Sequence, residues 1–244
     1  MLIFALNRYS IYYTMNNRLP QHVAIIPDGN RRWASNKGVP HKRGHELGGD
    51  QMFQIIEHLM KLGVRFVTVW GFSTDNWKRS EEEIRSLFQL LEFWIRKTES
   101  WAQDNQVRLK YMGRLQELPD NLQNVIKEAV TRTQTNQGLT LNLAFNYTGR
   151  AEIIDAVNKL ISEHPVNKVD ENTFGSYLYT DGTPDVDLVI RTAGECRISN
   201  FMLWQIAYSE FYIAPVYWPD FNIEELDKAL FSYSERIRRM GGDG

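Results

Sequence analysis

Residues 22–34 read HVAIIPDGNRRWA. Val23 to Ile26 is a short apolar run closed by Pro27, the length and composition of a buried strand. An acid, a glycine, an amide and two arginines follow at once, Asp28 to Arg32. In an open α/β sheet, ligands sit at the carboxyl ends of strands, where the next helix starts. Free backbone N–H groups and the positive end of the helix dipole make that start attractive to anions. Gly29 lets the backbone come close to a ligand, and Arg31 and Arg32 can fork onto phosphate oxygens. A carboxylate among such donors, Asp28, calls for a cation, and a magnesium ion shared with a substrate's phosphates meets both demands. Taken alone, the stretch reads equally well as a strand-to-helix turn with Asp28 as N-cap. A second basic cluster far down the chain decides for the anion site.

Strand and helix signals alternate from Val23 onward, the pattern of a parallel sheet with helices on its faces. Gly38 to Gly44 reads as a loop, and a helix follows from Gly44-His45 to about Lys61, capped by Gly63. Val64 to Phe72 reads as a second strand, ending in STDNWKR, residues 73–79. Ser80 and Glu83 have capping-box spacing, and a helix runs from there to about Asp104. It carries Ile84, Leu87, Phe88, Leu90, Leu91, Phe93, Trp94, Ile95 and Trp101. That is more than one apolar stripe, so a second face needs cover from the core, a greasy cavity or a partner. Trp94 and Trp101 read as core, and His58 as a plain helix-face residue. Further strands are expected at 107–112, 139–145, 187–192 and 211–217, with helices at 119–135, after Arg150, at 201–208 and at 223–239. Residues 163–172 read as a polar connection.

The chain has 244 residues, enough for one α/β domain with a full core. A net charge of -2 argues against a generic nucleic-acid binder, so anion sites must come from local arginines. Cys196 is the only cysteine, which excludes an intrachain disulfide and cysteine-type metal sites. No apolar run approaches the roughly 18 residues of a membrane helix. Residues 1–14 lack a clean apolar core and an Ala-x-Ala end, and are expected to be a disordered leader before a domain at 15–244.

Four strand ends therefore carry polar clusters: Asp28, Ser73–Arg79, Asn146–Arg150 and Arg191–Asn200. Arg191 and Arg197 with Ser199 can hold one diphosphate. Asp28 with a metal, Gly29, Asn30, Arg32 and His45 can hold another. Two anion sites beside an apolar helix suggest substrates with phosphate heads and hydrocarbon tails. No Gly-x4-Gly-Lys-Ser/Thr, Gly-x-Gly-x-x-Gly, hydrolase elbow or His-Glu-x-x-His is present.

HVAIIPDGNRRWA, Gly44-His45, FSTDNWKR at 72–79, residues 142–150, RTAGECRISNFMLWQ at 191–205 and WPDF at 218–221 together resemble the cis-prenyltransferases, the undecaprenyl diphosphate synthase family. The likeness runs in order from about His22 to Gly242. It implies a single α/β domain with a central, mostly parallel sheet, a hydrophobic tunnel and a homodimer. It implies an isoprenoid-biosynthesis transferase that uses Mg2+ and adds isopentenyl diphosphate to an allylic diphosphate such as farnesyl diphosphate, giving the undecaprenyl carrier lipid of peptidoglycan. The setting implied is cytoplasmic, with contact at the inner membrane surface. By position, Asp28 is the metal carboxylate and Glu210 a second one near the dimer contact. Gly29, Asn30, Arg32 and His45 bind the allylic diphosphate, and Arg31, Trp33 and Ser73 are further substrate-binding residues. Asn76 and Trp77 sit beside the reacting carbons, with Asn76 assisting proton removal. Arg79 and Glu83 lie in a segment that closes the site, and Arg191, Arg197 and Ser199 bind isopentenyl diphosphate. Arg239-Met-Gly241 looks like the family's tail motif.

The chain departs from the pattern at Pro27, His41, Ala193 and Cys196. Gly71, small at a tunnel-facing position of the family, argues for a long product. The alternatives are a short-chain cis synthase and a non-catalytic partner subunit. The intact Asp28, Arg191 and Arg197 speak against the second.

Overall fold

The computed structural model describes residues 19–163 and 168–236. Strands and helices alternate along it: β1 (His22–Ile26), α1 (Asn30–Lys37), α2 (His41–Leu62), β2 (Phe66–Phe72), α3 (Glu81–Asp104), β3 (Arg108–Met112), α4 (Asp120–Thr133), β4 (Thr140–Phe145), α5 (Gly149–Glu163), α6 (Glu171–Gly175), β5 (Leu188–Arg191), β6 (Glu210–Ile213) and α7 (Ile223–Ser234). Single 3-10 turns occupy Thr74–Lys78, Leu115–Glu117 and Trp218–Asp220. Every strand pair within the ladders below is parallel, so the α/β class expected from the alternation is what the chain adopts.

The chain clusters into two compact units, a partition that no linker in the sequence marks. The first comprises residues up to Arg65, Val186–Cys196 and from Tyr208 onward. Its ladder places β5 between β1 and β6, with Ile26 opposite Arg191 and Arg191 opposite Ile213. All five β1 residues are buried, as both faces of a parallel strand demand. α1 and α2 pack closely because α2 offers glycines at the contact. A Cβ on Gly44 would overlap the Asn30 carbonyl, and one on Gly48 would overlap Asn30 Oδ1.

The second unit comprises Phe66–Asp185 and Arg197–Ala207. Here β4 lies between β2 and β3. The β2–β4 register slips between Trp70 and Phe72, which leaves Gly71 as the extra residue of a bulge. A Cβ on Gly71 would stand 3.1 Å from the Phe145 ring. The bulge and that ring give the glycine a local reason independent of any product length.

Several boundaries differ from the sequence reading. α2 starts at His41 rather than Gly44, because Pro40 (φ −57) already has a helical φ and can stand at the N-cap. Residues 201–208 form turns, not a helix: Met202 has φ 42°, which breaks a right-handed helix, and Ser199 and Asn200 just before the segment are left-handed as well, at 50° and 69°. The strand expected at 211–217 ends at Ile213. α7 ends at Ser234, and the tail motif at 239–241, like the leader at 1–14, lies outside the described residues. In α3 only Ile95, Thr98 and Ala102 are buried, so Trp94 and Trp101 are not the core residues expected.

Candidate functional site: an anion cluster and an amide–indole cluster

The first cluster forms in the first unit, where β1 and β5 end side by side. The chain turns at Pro27, with the Asp28 N–H donating to the Ile26 carbonyl at 2.9 Å. The Asp28 carbonyl is then held twice, by Thr192 Oγ1 at 2.7 Å and by the Trp218 N–H at 3.0 Å. This fixes where the side chain starts. Its Oδ2 accepts Arg191 Nη2 at 2.8 Å and its Oδ1 accepts Arg32 Nη2 at 3.1 Å. Burial pushes this carboxyl up, but the hydrogen bonds and charges of Arg191 and Arg32 outweigh it and hold the group below the ordinary carboxylate range. Arg32 also donates to Glu195 Oε1 at 2.6 Å and lies 5.6 Å from the Tyr217 ring centre. Arg191 is buried and Arg32 exposed, so the cluster runs from the ladder end to the surface.

Gly29, not Asp28, is the N-cap of α1, and no side chain caps that helix end. Gly29 has φ 100°, and a Cβ there would stand 2.5 Å from Tyr217 Cδ1. Only glycine fits that conformation and that gap. The uncapped N–H groups beside Asp28, Arg32 and Arg191 suit an anion. Asn30 donates to the Pro27 carbonyl at 3.2 Å, and its buried Oδ1 has no hydrogen-bond partner. His45 follows Gly44, the point of closest approach of α2 to Asn30. Arg31 is exposed on the first turn of α1, while Trp33 is tied to Asp220 by a 2.9 Å hydrogen bond from Nε1.

Glu210 is not brought to Asp28. It starts β6 opposite Leu188, at the other end of the ladder from Arg191, and its Oε2 accepts Arg236 Nη1 at 2.5 Å. No group of three or more His, Cys, Asp or Glu fit to hold a metal exists among the described residues. The donor set is the ionised Asp28 carboxylate, with Glu195 across Arg32, beside an anion site, which fits a magnesium ion completed by water and substrate phosphates and does not fit a closed structural metal site.

The second cluster lies in the second unit. Ser73 and Asn76 form a reciprocal cap on the 74–78 turn: Ser73 Oγ accepts the Asp75 N–H, and Asn76 Oδ1 accepts the Ser73 N–H at 3.0 Å. The box expected at Ser80 and Glu83 is used in one direction, Glu83 N–H to Ser80 Oγ, while the Glu83 carboxylate takes Arg79 at 3.0 Å. Trp77 packs edge-on against Phe72 and Phe88, and its Nε1 donates to Asn146 Oδ1 at 2.8 Å.

Arg197 and Ser199 are exposed on a loop whose next residue, Asn200, caps α5. The Asn200 carbonyl accepts the Gly149 N–H at 2.7 Å, and its Oδ1 accepts the Arg150 N–H at 2.9 Å. Phe201 stacks on Trp70 with centroids 4.9 Å apart. Behind the loop, buried Glu152 accepts from Tyr147, Gln205 and the Tyr179 N–H. Burial pushes the Glu152 carboxyl up despite these donors.

Thr192, Glu195, Asn146, Asn200 and Glu152 escaped the sequence reading as site-builders. Thr192, Glu195 and Asn200 lie inside the quoted cluster at 191–200, and Asn146 heads the one at 146–150, so their neighbourhood was visible and their hydrogen bonds were not. His58 is more than a helix-face residue, since its Nε2 meets buried Asp227 at 3.0 Å.

A family model described as "Putative undecaprenyl diphosphate synthase" matches residues 26–241. An isoprenyl transferase of Fusobacterium nucleatum is 46% identical over 93% of this chain and 98% of its own. Among solved structures, lavandulyl diphosphate synthase from Lavandula x intermedia, in complex with dimethylallyl diphosphate, superimposes with TM-score 0.88 at 36% identity, covering 91% of this chain and 98% of that one. A probable undecaprenyl diphosphate synthase from Campylobacter jejuni gives TM-score 0.78 at 30% identity, over 91% and 98% of the two chains. A match along nearly the whole length, with the anion cluster built at the end of β1, makes this chain a member of the undecaprenyl diphosphate synthase family of prenyltransferases.

Proposed function

We propose that the protein lengthens an allylic diphosphate, farnesyl diphosphate as primer, by successive cis additions of isopentenyl diphosphate, up to undecaprenyl diphosphate for the peptidoglycan carrier lipid. The observation that carries this reading is the ionised Asp28 between Arg32 and Arg191 beside bare Gly29 and the uncapped start of α1. Gly29, Asn30, Arg31, Arg32 and His45 take the allylic diphosphate. Arg191, Arg197 and Ser199 take the isopentenyl diphosphate. Asp28 holds Mg2+, which supplies charge neutralisation for the departing diphosphate. The arginines add to that stabilisation as the leaving charge grows. Asn76, its amide already oriented by the Ser73 N–H, assists loss of the proton from the new allylic unit. Holding both substrates in line contributes much of the rate.

A hydrocarbon tail has a surface to use. Ile84, Leu87, Phe88, Leu90, Leu91, Phe93 and Trp94 occupy the first half of α3, and none of them is buried. All but the exposed Phe93 are half-buried, and incompletely covered apolar area of this kind is what a prenyl chain covers. The protein works in this reading as a cytoplasmic homodimer, touching the inner membrane surface where its lipid product goes. No helix among the described residues is long and apolar enough to cross a membrane.

The second reading, a short-chain synthase, is favoured by the likeness to lavandulyl diphosphate synthase. One incubation separates the two: purified protein, farnesyl diphosphate, excess labelled isopentenyl diphosphate and Mg2+, with and without chelator, with product length read by mass. A metal-dependent ladder of undecaprenyl length is expected. A product that stops after one or a few additions would replace it with the short-chain reading. No product from farnesyl, geranyl or dimethylallyl primers would leave a non-catalytic subunit, and release of inorganic phosphate without isopentenyl diphosphate a phosphohydrolase.

A further inference from the structure

Asn146 follows the last residue of β4 with φ 51° and is fully buried. The left-handed backbone turns its side chain away from the strand direction and into a ring of polar partners. Oδ1 accepts Trp77 Nε1–H at 2.8 Å, while Nδ2 donates to the Arg114 carbonyl at 3.0 Å and to Glu117 Oε2 at 2.8 Å. Chemistry leaves this amide one orientation. An indole N–H only donates, and a carbonyl and a carboxylate only accept. A flipped amide would set donor against donor at Trp77 and acceptor against acceptor at Glu117. Arg114 is itself fixed by a two-pronged grip on Asp155, at 2.8 and 2.9 Å. The indole, 38% exposed, thus has its N–H locked while its ring edge rests on Phe72 and Phe88.

We infer that Asn146 is a positioning residue for the transfer reaction: its amide holds the Trp77 indole, and with it the 74–78 turn that carries Asn76, in one orientation against the reacting carbons. This rests on the prenyl-transfer reading given above. A half-exposed indole on a single 3-10 turn has several rotamers open to it, and each wrong one displaces a group that must stand beside the substrates. The hydrogen bond to Asn146 removes those rotamers before substrate arrives. The loss on deleting it falls on kcat more than on KM, because the diphosphates are held by other residues.

The test is a cycle of Asn146→Gly, Trp77→Phe and the double variant, assayed for kcat and KM with both substrates. Glycine accepts the positive φ, so Asn146→Gly deletes the amide without backbone strain. Trp77→Phe keeps a ring and deletes the N–H. Each single variant is expected to lose about five- to tenfold in kcat, the worth of one hydrogen bond. The double variant is expected to be no worse than the poorer single. The indole 15N–1H cross-peak missing in Trp77→Phe is expected to move in Asn146→Gly. Wild-type kcat in Asn146→Gly, or losses that multiply in the double variant, would overturn the assignment while prenyl transfer by the wild type stands.

A second pair covers the case in which Asn146→Gly does not fold. Asn146→Asp keeps the acceptor for Trp77 but sets a carboxylate against Glu117, so activity falls. Adding Glu117→Gln supplies a donor in its place and is expected to restore most of that loss. Failure to restore it would count against the assignment. A wild-type enzyme with no turnover would overturn the functional reading itself, and this assignment with it.

Discussion

Asp28 shows how a single residue combines stability and function. Its carboxyl is held below the ordinary value by Arg191 and Arg32 against the opposing effect of burial. For a carboxyl with a depressed folded value, the stabilisation is fully present above the unfolded-state pKa, about 3.9. It is lost as pH falls through the folded value. Asp28→Asn is therefore expected to be less stable than wild type by about 1–3 kcal/mol at pH 7, with the gap closing below about pH 4. Urea unfolding midpoints at neutral pH and near pH 3 check this; a gap of constant size would refute the ionised pairing. The same variant is expected to lose turnover at neutral pH by at least a hundredfold if Asp28 holds the metal. The residue types here were legible in the sequence only in combination: the acid, glycine and arginines after the apolar run also suit a plain strand-to-helix turn, and the second basic cluster at 191–200 favoured the anion site. The Thr192 and Trp218 bonds to the Asp28 carbonyl were not, since they join residues more than 160 positions apart.

At the scale of elements, contacts between neighbours override local preference. α2 carries Gly44 and Gly48 in mid-helix, where alanine would favour the helix by about 1 kcal/mol. A Cβ at Gly48 would overlap Asn30 Oδ1 and come within 2.8 Å of Trp218 Cδ1. Trp218 also donates its Nε1–H to the Gly48 carbonyl at 2.7 Å, so neither partner has room to retreat. Overpacking of that kind costs about 1–3 kcal/mol. Gly48→Ala is thus expected to lower Tm by a few degrees despite its better helix propensity, and to weaken inorganic diphosphate binding by displacing Asn30. A raised Tm would show that α1 and α2 can part freely.

Glu152 makes the opposite case, a charge where helix periodicity expects an apolar residue. All its partners donate, and glutamine offers only one acceptor oxygen to them. Glu152→Gln is expected to lose about 1–3 kcal/mol and to loosen the 197–207 segment, as hydrogen exchange at Tyr179 and Gln205 would report. Segment 201–208 is expected to be helical from the sequence. Three left-handed residues and the Gln205 anchor decided otherwise, and neither leaves a trace in a hydrophobic pattern.

Across the whole chain, the alternation of strands and helices was legible because buried parallel strands are short apolar runs bounded by turn residues. Strand order within each ladder was not, as it depends on pairings between distant segments. Nor was the division into two units, each assembled from pieces far apart in sequence. Synthesis on the ribosome feels that arrangement directly. The pair Arg191–Asp28 spans 163 residues. At typical elongation rates of about 5–20 residues per second, β1 and its acid emerge roughly 8–30 s before β5 exists to receive them. For that interval the most apolar strand of the first unit is a bare edge in a crowded cell, and Asp28 has Arg32 but not Arg191 to pair with. The buried arginine of the cluster is thus acquired late in translation, and a chain cut short before it carries Asp28 and Arg32 but neither the Arg191 nor the Thr192 that completes their arrangement.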